Sequence, residues 1–572
     1  MHAPVFSIAR WRRVLLVCLC AALALPPVAW AQTAVPTAVQ TTAPRPAAPA
    51  RGSALPALGD AGDMTPMEER KLGDLIVLDL YRDPTYMDDP VISEYVDSIW
   101  RRLLAGAEMR GDLTPELAAR YAWRFLLVRD SEINAFAMPG GYMGLNLGLL
   151  GAVESRDELA AVLAHEMSHV MQRHIARMLG RQSREQPLLL AAMLAGILAG
   201  IRNPQIGSAV VAGGQATQVA RELHFSRDME READRVGYGV FVQSDFAPWG
   251  FVSMFEKLQA ASRINDNGDW PLLRSHPLTT ERIADMQERQ RSLQGRPRPA
   301  PDWEALLMAA RARVLARPGV DVLRGWTRQP ETTEFAKLPP EKRAAAFYAG
   351  ALALAELRDF TGAQNMATQL AALTTRDANA ARQTRWLQAD LALRAGQPER
   401  ALQLLPAAGT ADAARPAAAR RLEINDATSA DDAGGADAAG APARGSLAGR
   451  ATLLLRARAQ LETKQTAQIK SAASSLRSWV SMHPTDALAW QRLAQVNRAL
   501  GLELRALRAE GEAQMADLDY TGAINRWRAA QDYSRQHQSA ADDLIEASIV
   551  NVRLRAAQEA LKRQREEEKK FE

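Results

Sequence analysis

Past residue 31 this chain has no cysteine: Cys18 and Cys20 are the only two among 572 residues. That excludes disulfides and thiolate metal sites from the rest of the chain, so any metal would have to be held by histidines and carboxylates. Histidine is itself scarce, with eight in all. An excess of one charge is also missing. Arg10, Arg12 and Arg13 supply three of the formal +4, and residues 1–31 hold no acid. The remainder carries about +1, which gives no electrostatic footing for nucleic acid. There is no glycine-rich phosphate loop of useful form. The longest apolar runs, Val14–Leu25 and Pro187–Ile201, both fall short of the ~20 residues that cross a bilayer.

What is present is globular in composition, 47% hydrophobic and 24% charged, over a length that implies several units. Residues 1–31 read as a secretory signal: a basic Arg10–Arg13, the apolar Val14–Leu25, and small residues at both key positions of Ala29-Trp30-Ala31. Export with no thiols suits a bacterial periplasm; an uncleaved anchor is the alternative. Residues 32–63, rich in Ala, Pro and Thr, read as a disordered linker. Residues 64–295 read as one mixed α/β unit. It has strands over Trp123–Val128, Ile133–Met138 and Tyr142–Leu147, then one long helix over Arg156–Leu179. Pro187–Ile201 reads as a buried or lid helix. From residue 300 the pattern is almost all helix. Residues 300–405 and 449–572 read as degenerate tetratricopeptide-like repeats ending in a charged helix, and 406–448 as a low-complexity insertion.

The chemistry concentrates in His165-Glu166-Met167-Ser168-His169. On a helix, positions i and i+4 lie one turn apart on the same side, so two imidazoles there can share one zinc ion. Glu166, beside the first of them, can take a proton from the attacking water. A third protein ligand is needed. Gln172 and Ile175 stand where the metzincin motif requires Gly and His, which excludes that class. Glu230 and Asp234, again i and i+4, are the next candidates. One could bind the metal while the other holds a ligand histidine by its second nitrogen.

These segments resemble the zinc peptidase family that includes HtpX and the CAAX prenyl proteases, and within it the periplasmic branch with C-terminal tetratricopeptide repeats. Ser226-Arg227, Glu230, Ala233-Asp234 and Gly237 fit the family's second motif. Asn134–Tyr142 resembles its strand and turn before the catalytic helix, and Ser275–Ile283 its histidine-proline segment. The resemblance implies an α+β zincin-like, mostly helical protease domain followed by an all-α repeat domain. It implies one Zn2+ per chain, with His165, His169 and Glu230 as ligands, Glu166 as base, Asp234 behind a ligand, and His276 as an inhibitory ligand. It leaves Glu232 an ordinary exposed residue. His174, one turn beyond His169, could face the site, but a surface position is expected. As partners it implies protein substrates, namely outer-membrane proteins and their assembly machinery, with room for a peripheral membrane contact. The implied function is quality control of misassembled outer-membrane proteins. The alternatives are a repeat-based scaffold or chaperone with little proteolysis, and a membrane-integrated protease.

Overall fold

The computed structural model describes residues 64–185, 226–263, 272, 276–406, 449–537 and 541–571. The signal, the linker, the Pro187–Ile201 segment and nearly all of 406–448 lie outside the described residues.

Helix α1 (Pro66–Arg82) opens on a capping box, in which Thr65 and Glu68 each satisfy the other's backbone N–H. After the two-residue strand β1 (Tyr86–Met87) comes α2 (Pro90–Arg110), capped by Asp89, and then α3 (Pro115–Arg120). Three strands follow: β2 (Arg124–Val128), β3 (Ala135–Met138) and β4 (Tyr142–Asn146). The sheet order is β1-β2-β4-β3, with β2 parallel to β4 and the outer pairs antiparallel. All residues of β3 and β4 are buried, so both strands read as continuous apolar runs rather than alternations. The turn between them, Pro139–Gly141, uses left-handed Gly140 (φ 74°), a conformation glycine adopts without steric cost.

Helices α4 (Leu147–Ala152) and α5 (Arg156–Met171) come next, and α5 is capped by Ser155. The single helix expected over Arg156–Leu179 is in fact two. The chain breaks at Gln172–Arg173, Arg173 is left-handed (φ 53°), and α6 restarts at His174 (His174–Glu185). Helix α7 (Arg227–Gln243) packs on α5, and α8 (Pro248–Arg263) and α9 (Thr280–Ser292) complete the unit.

The rest is helical: α10 (Trp303–Leu315), α11 (Val320–Arg328), α12 (Thr333–Lys337), α13 (Pro340–Glu356), α14 (Phe360–Thr374), α15 (Ala378–Arg394) and α16 (Pro398–Leu404). After the insertion come α17 (Arg450–Glu462), α18 (Thr466–Met482), α19 (Ala487–Ala499), α20 (Glu503–Ala516), α21 (Tyr520–Gln536) and α22 (Ala541–Phe571). Successive helices pack on one another, with Asp359, Asp377, Asp486 and Asp519 as N-caps. One hydrophobic core runs without interruption from Leu72 to Ala459, so the sheet-bearing half and the first helical layers share it. Buried ion pairs fix the register across this junction: Arg311 with Asp89, and Arg450 with both Asp88 and Asp486. Among the described residues no helix is long and apolar enough to cross a membrane.

Candidate metal centre

Helix α5 places His165, Glu166 and His169 on one buried face. Helix α7 brings Glu230 and Asp234 against it. The approach is close because Gly237 has no side chain: a Cβ there would sit 3.0 Å from the Ala164 carbonyl oxygen. His276, just before α9, completes the group.

The donor atoms converge. His165 Nε2 lies 3.1 Å from His169 Nε2 and 3.3 Å from His276 Nδ1. Glu230 Oε1 lies 2.8 Å from His276 Nδ1 and 3.5 Å from His169 Nε2. All four residues are buried, and their donor atoms lie within 4.8 Å of one another. Ligands about 2.0–2.1 Å from a tetrahedral zinc stand roughly 3.4 Å apart. Two imidazoles, a carboxylate and a third imidazole gathered at about this spacing are a donor set that suits zinc, and no thiolate is needed.

The surroundings orient each donor. His165 Nδ1 lies 3.1 Å from Asp234 Oδ1, which turns Nε2 toward the centre. Arg282 of α9, itself buried, donates to both oxygens of Asp234 (2.6 and 2.9 Å) and pairs with Glu230 Oε2 at 2.7 Å. It also donates to the Pro277 carbonyl (3.0 Å), tying the His276 segment to the same anions. Glu166 Oε2 accepts from the Ala137 N–H of β3 at 3.0 Å. Its Oε1 lies 3.3 Å from His276 Nε2.

Burial raises the Glu166 pKa above the ordinary carboxylate value, against the opposing pull of His276 and His165. Burial would also raise Glu230, but the rings of His276 and His165 hold its carboxyl far below the usual range. Asp234 falls to about 2: burial opposes this, and the His165 hydrogen bond and Arg282 outweigh it. Burial drives His169 well below its ordinary value, which keeps it neutral and able to offer a lone pair.

Two expectations are corrected. His174 is fully buried rather than at the surface, with its Nδ1 2.8 Å from His169 Nδ1. Glu232 is not an ordinary exposed residue. Its carboxylate lies 3.1 Å from His174 Nε2 and accepts from Arg177 at 2.8 Å. Arg282 has no counterpart among the expected site residues, since one arginine in a charged helix carries no periodic signal.

Residues 93–290 match peptidase family M48. A Vibrio cholerae protein provisionally named a β-barrel assembly-enhancing protease is 29% identical over 55% of this chain and 63% of its own length. The β-barrel assembly-enhancing proteases of Yersinia pestis and Escherichia coli are each 28% identical, over 53% and 42% of this chain and 60% and 49% of their own lengths. The chain thus spans less than two thirds of these relatives. With its buried His-His-Glu-His cluster in the matched region, this chain carries a metallopeptidase domain of family M48 and resembles the β-barrel assembly-enhancing proteases across it.

Proposed function

We propose that the protein is a zinc endopeptidase of the bacterial periplasm that degrades misassembled outer-membrane proteins, with His165, His169 and Glu230 as ligands. The observation that carries this reading is the convergence of two imidazole nitrogens from α5 and a carboxylate from α7 beside a buried Glu166. When bound, zinc polarises the scissile carbonyl and makes water acidic enough to attack near neutral pH. Glu166 takes the proton of the attacking water and returns it to the leaving amine. Strand β3 is an edge of the sheet, and its Ala137 already bonds Glu166, so an extended substrate added along β3 would run past the base. The relatives' names, the signal-like residues 1–31 and the absence of later cysteines support the envelope setting. The stacked helices beyond residue 300, read as tetratricopeptide-like, would hold the client or its assembly machinery and serve as a chaperone surface. His276 would act as an inhibitory fourth ligand, because its Nδ1 joins the donor set while its Nε2 faces Glu166.

The test is zinc content and casein hydrolysis of the purified full chain beside Glu166→Gln and His165→Ala. Glu166→Gln should keep about one zinc per chain and lose hydrolysis by 10²-fold or more, as for removal of a general base. His165→Ala should lose both. Full activity in Glu166→Gln would end this mechanism.

A further inference from the structure

In a continuous α-helix, residues five apart are turned by about 140° from one another. His169 and His174 would then face different ways. They meet because the chain breaks between them at Gln172–Arg173, with Arg173 in the left-handed region. A non-glycine residue there is strained and persists only where the surroundings hold it. Here Arg173 Nε donates to Glu69 Oε2 at 3.1 Å, and its guanidinium also bonds the Met64 carbonyl. Glu69 is in turn bonded by the Tyr121 hydroxyl. The start of α1 thus pins a strained residue whose effect is to carry His174 back to His169.

We propose that His174 is a positioning residue for the metal, accepting a hydrogen bond from His169 Nδ1–H and donating through Nε2–H to Glu232, so that His169 Nε2 is held facing the centre. This assignment leaves the His169 Nε2 lone pair directed at the donor cluster. The His169 and His174 rings stand edge to face, 4.8 Å between centroids. Arg177 fixes the far end of the chain by bonding Glu232. His165 is oriented by a carboxylate directly, whereas His169 is oriented through an intervening imidazole, so α5 positions its two ligands by different devices.

The inference rests on the metal centre proposed above, and the experiment separates the two. Zinc affinity is measured on the full chain by competition with a chromophoric chelator, and the visible spectrum of the Co2+-loaded protein reports ligand geometry. His174→Phe keeps the ring volume and removes the acceptor, so it should weaken zinc by about 10–100-fold and alter the Co2+ bands. His174→Asn puts an amide oxygen near the position of Nδ1, and should recover most of that loss. Glu232→Ala should weaken zinc by a smaller factor. If wild type itself binds no zinc, the metal centre is wrong. If wild type binds and His174→Phe matches it in affinity and spectrum, or His174→Asn is as weak as His174→Phe, the positioning role is overturned. Should His174→Phe fail to fold, an unchanged affinity and spectrum in Glu232→Ala would overturn it equally.

Discussion

His276 touches both halves of the chemistry, with one ring nitrogen among the metal donors and the other beside the base. As the proposed fourth ligand, such a ring would leave no open position for water. His276→Ala should therefore raise basal casein turnover severalfold while zinc stays bound by His165, His169 and Glu230. Unchanged or lower turnover with zinc retained would instead mark His276 as an aid to the reaction. At this scale the sequence was informative where spacing carries chemistry. His165, Glu166 and His169 announce themselves by their i, i+4 geometry, and the structure sets Glu230, Asp234 and His276 around them. Arg282 was not legible, because it acts through tertiary contacts that no local pattern encodes. For His174 the site-facing alternative holds over the surface position, because the helix before it breaks at Gln172–Arg173.

The two elements that build the site, α5 and α7, touch through Gly237, with Ala164 O and Ser168 Oγ at 3.0 and 3.1 Å from where a Cβ would be. Alanine there gains about 1 kcal/mol of helix propensity, which roughly offsets the crowding. Valine adds two methyls with nowhere to go and should cost about 1–3 kcal/mol. Urea unfolding of the metal-free protein should show Gly237→Ala near neutral and Gly237→Val destabilised. Zinc affinity should fall in Gly237→Val, because a displaced α7 carries Glu230 with it. Equal stability of the two would mean the helices can part freely. The strands and helix pairs were largely foreseeable from apolar runs and turn residues. The break at Gln172–Arg173 was not, since it contains neither glycine nor proline and depends on Glu69, a residue 104 positions away.

Across the whole molecule, the core that runs past residue 300 makes the helical half part of the protease's own support. Glu94 of α2 accepts from the Gly449 and Ala451 N–H groups at 2.9 and 2.8 Å, which clasps the start of α17. Burial nonetheless raises its pKa to about 7, and burial raises Asp517 likewise to about 7. A carboxyl whose folded pKa lies above its unfolded value favours folding at low pH and loses that contribution as pH rises through the folded value. Between pH 5 and pH 8 these two groups should make the melting temperature fall. The Glu94→Gln/Asp517→Asn double variant should show a flatter profile over the same range, and an identical slope would refute the assignment. The sheet, finally, has two unequal borders. On the β1 side the strand is two residues long, and Arg124 of β2 bonds the Thr485 carbonyl and, at 3.4 Å, that of Ala516, so the C-terminal helical region crowds that flank. The β3 side borders Glu166. A second copy of the chain that paired along that border would lay its own backbone where the client proposed above would lie, so self-association there and the proposed proteolysis would be mutually exclusive uses of one row of peptide groups.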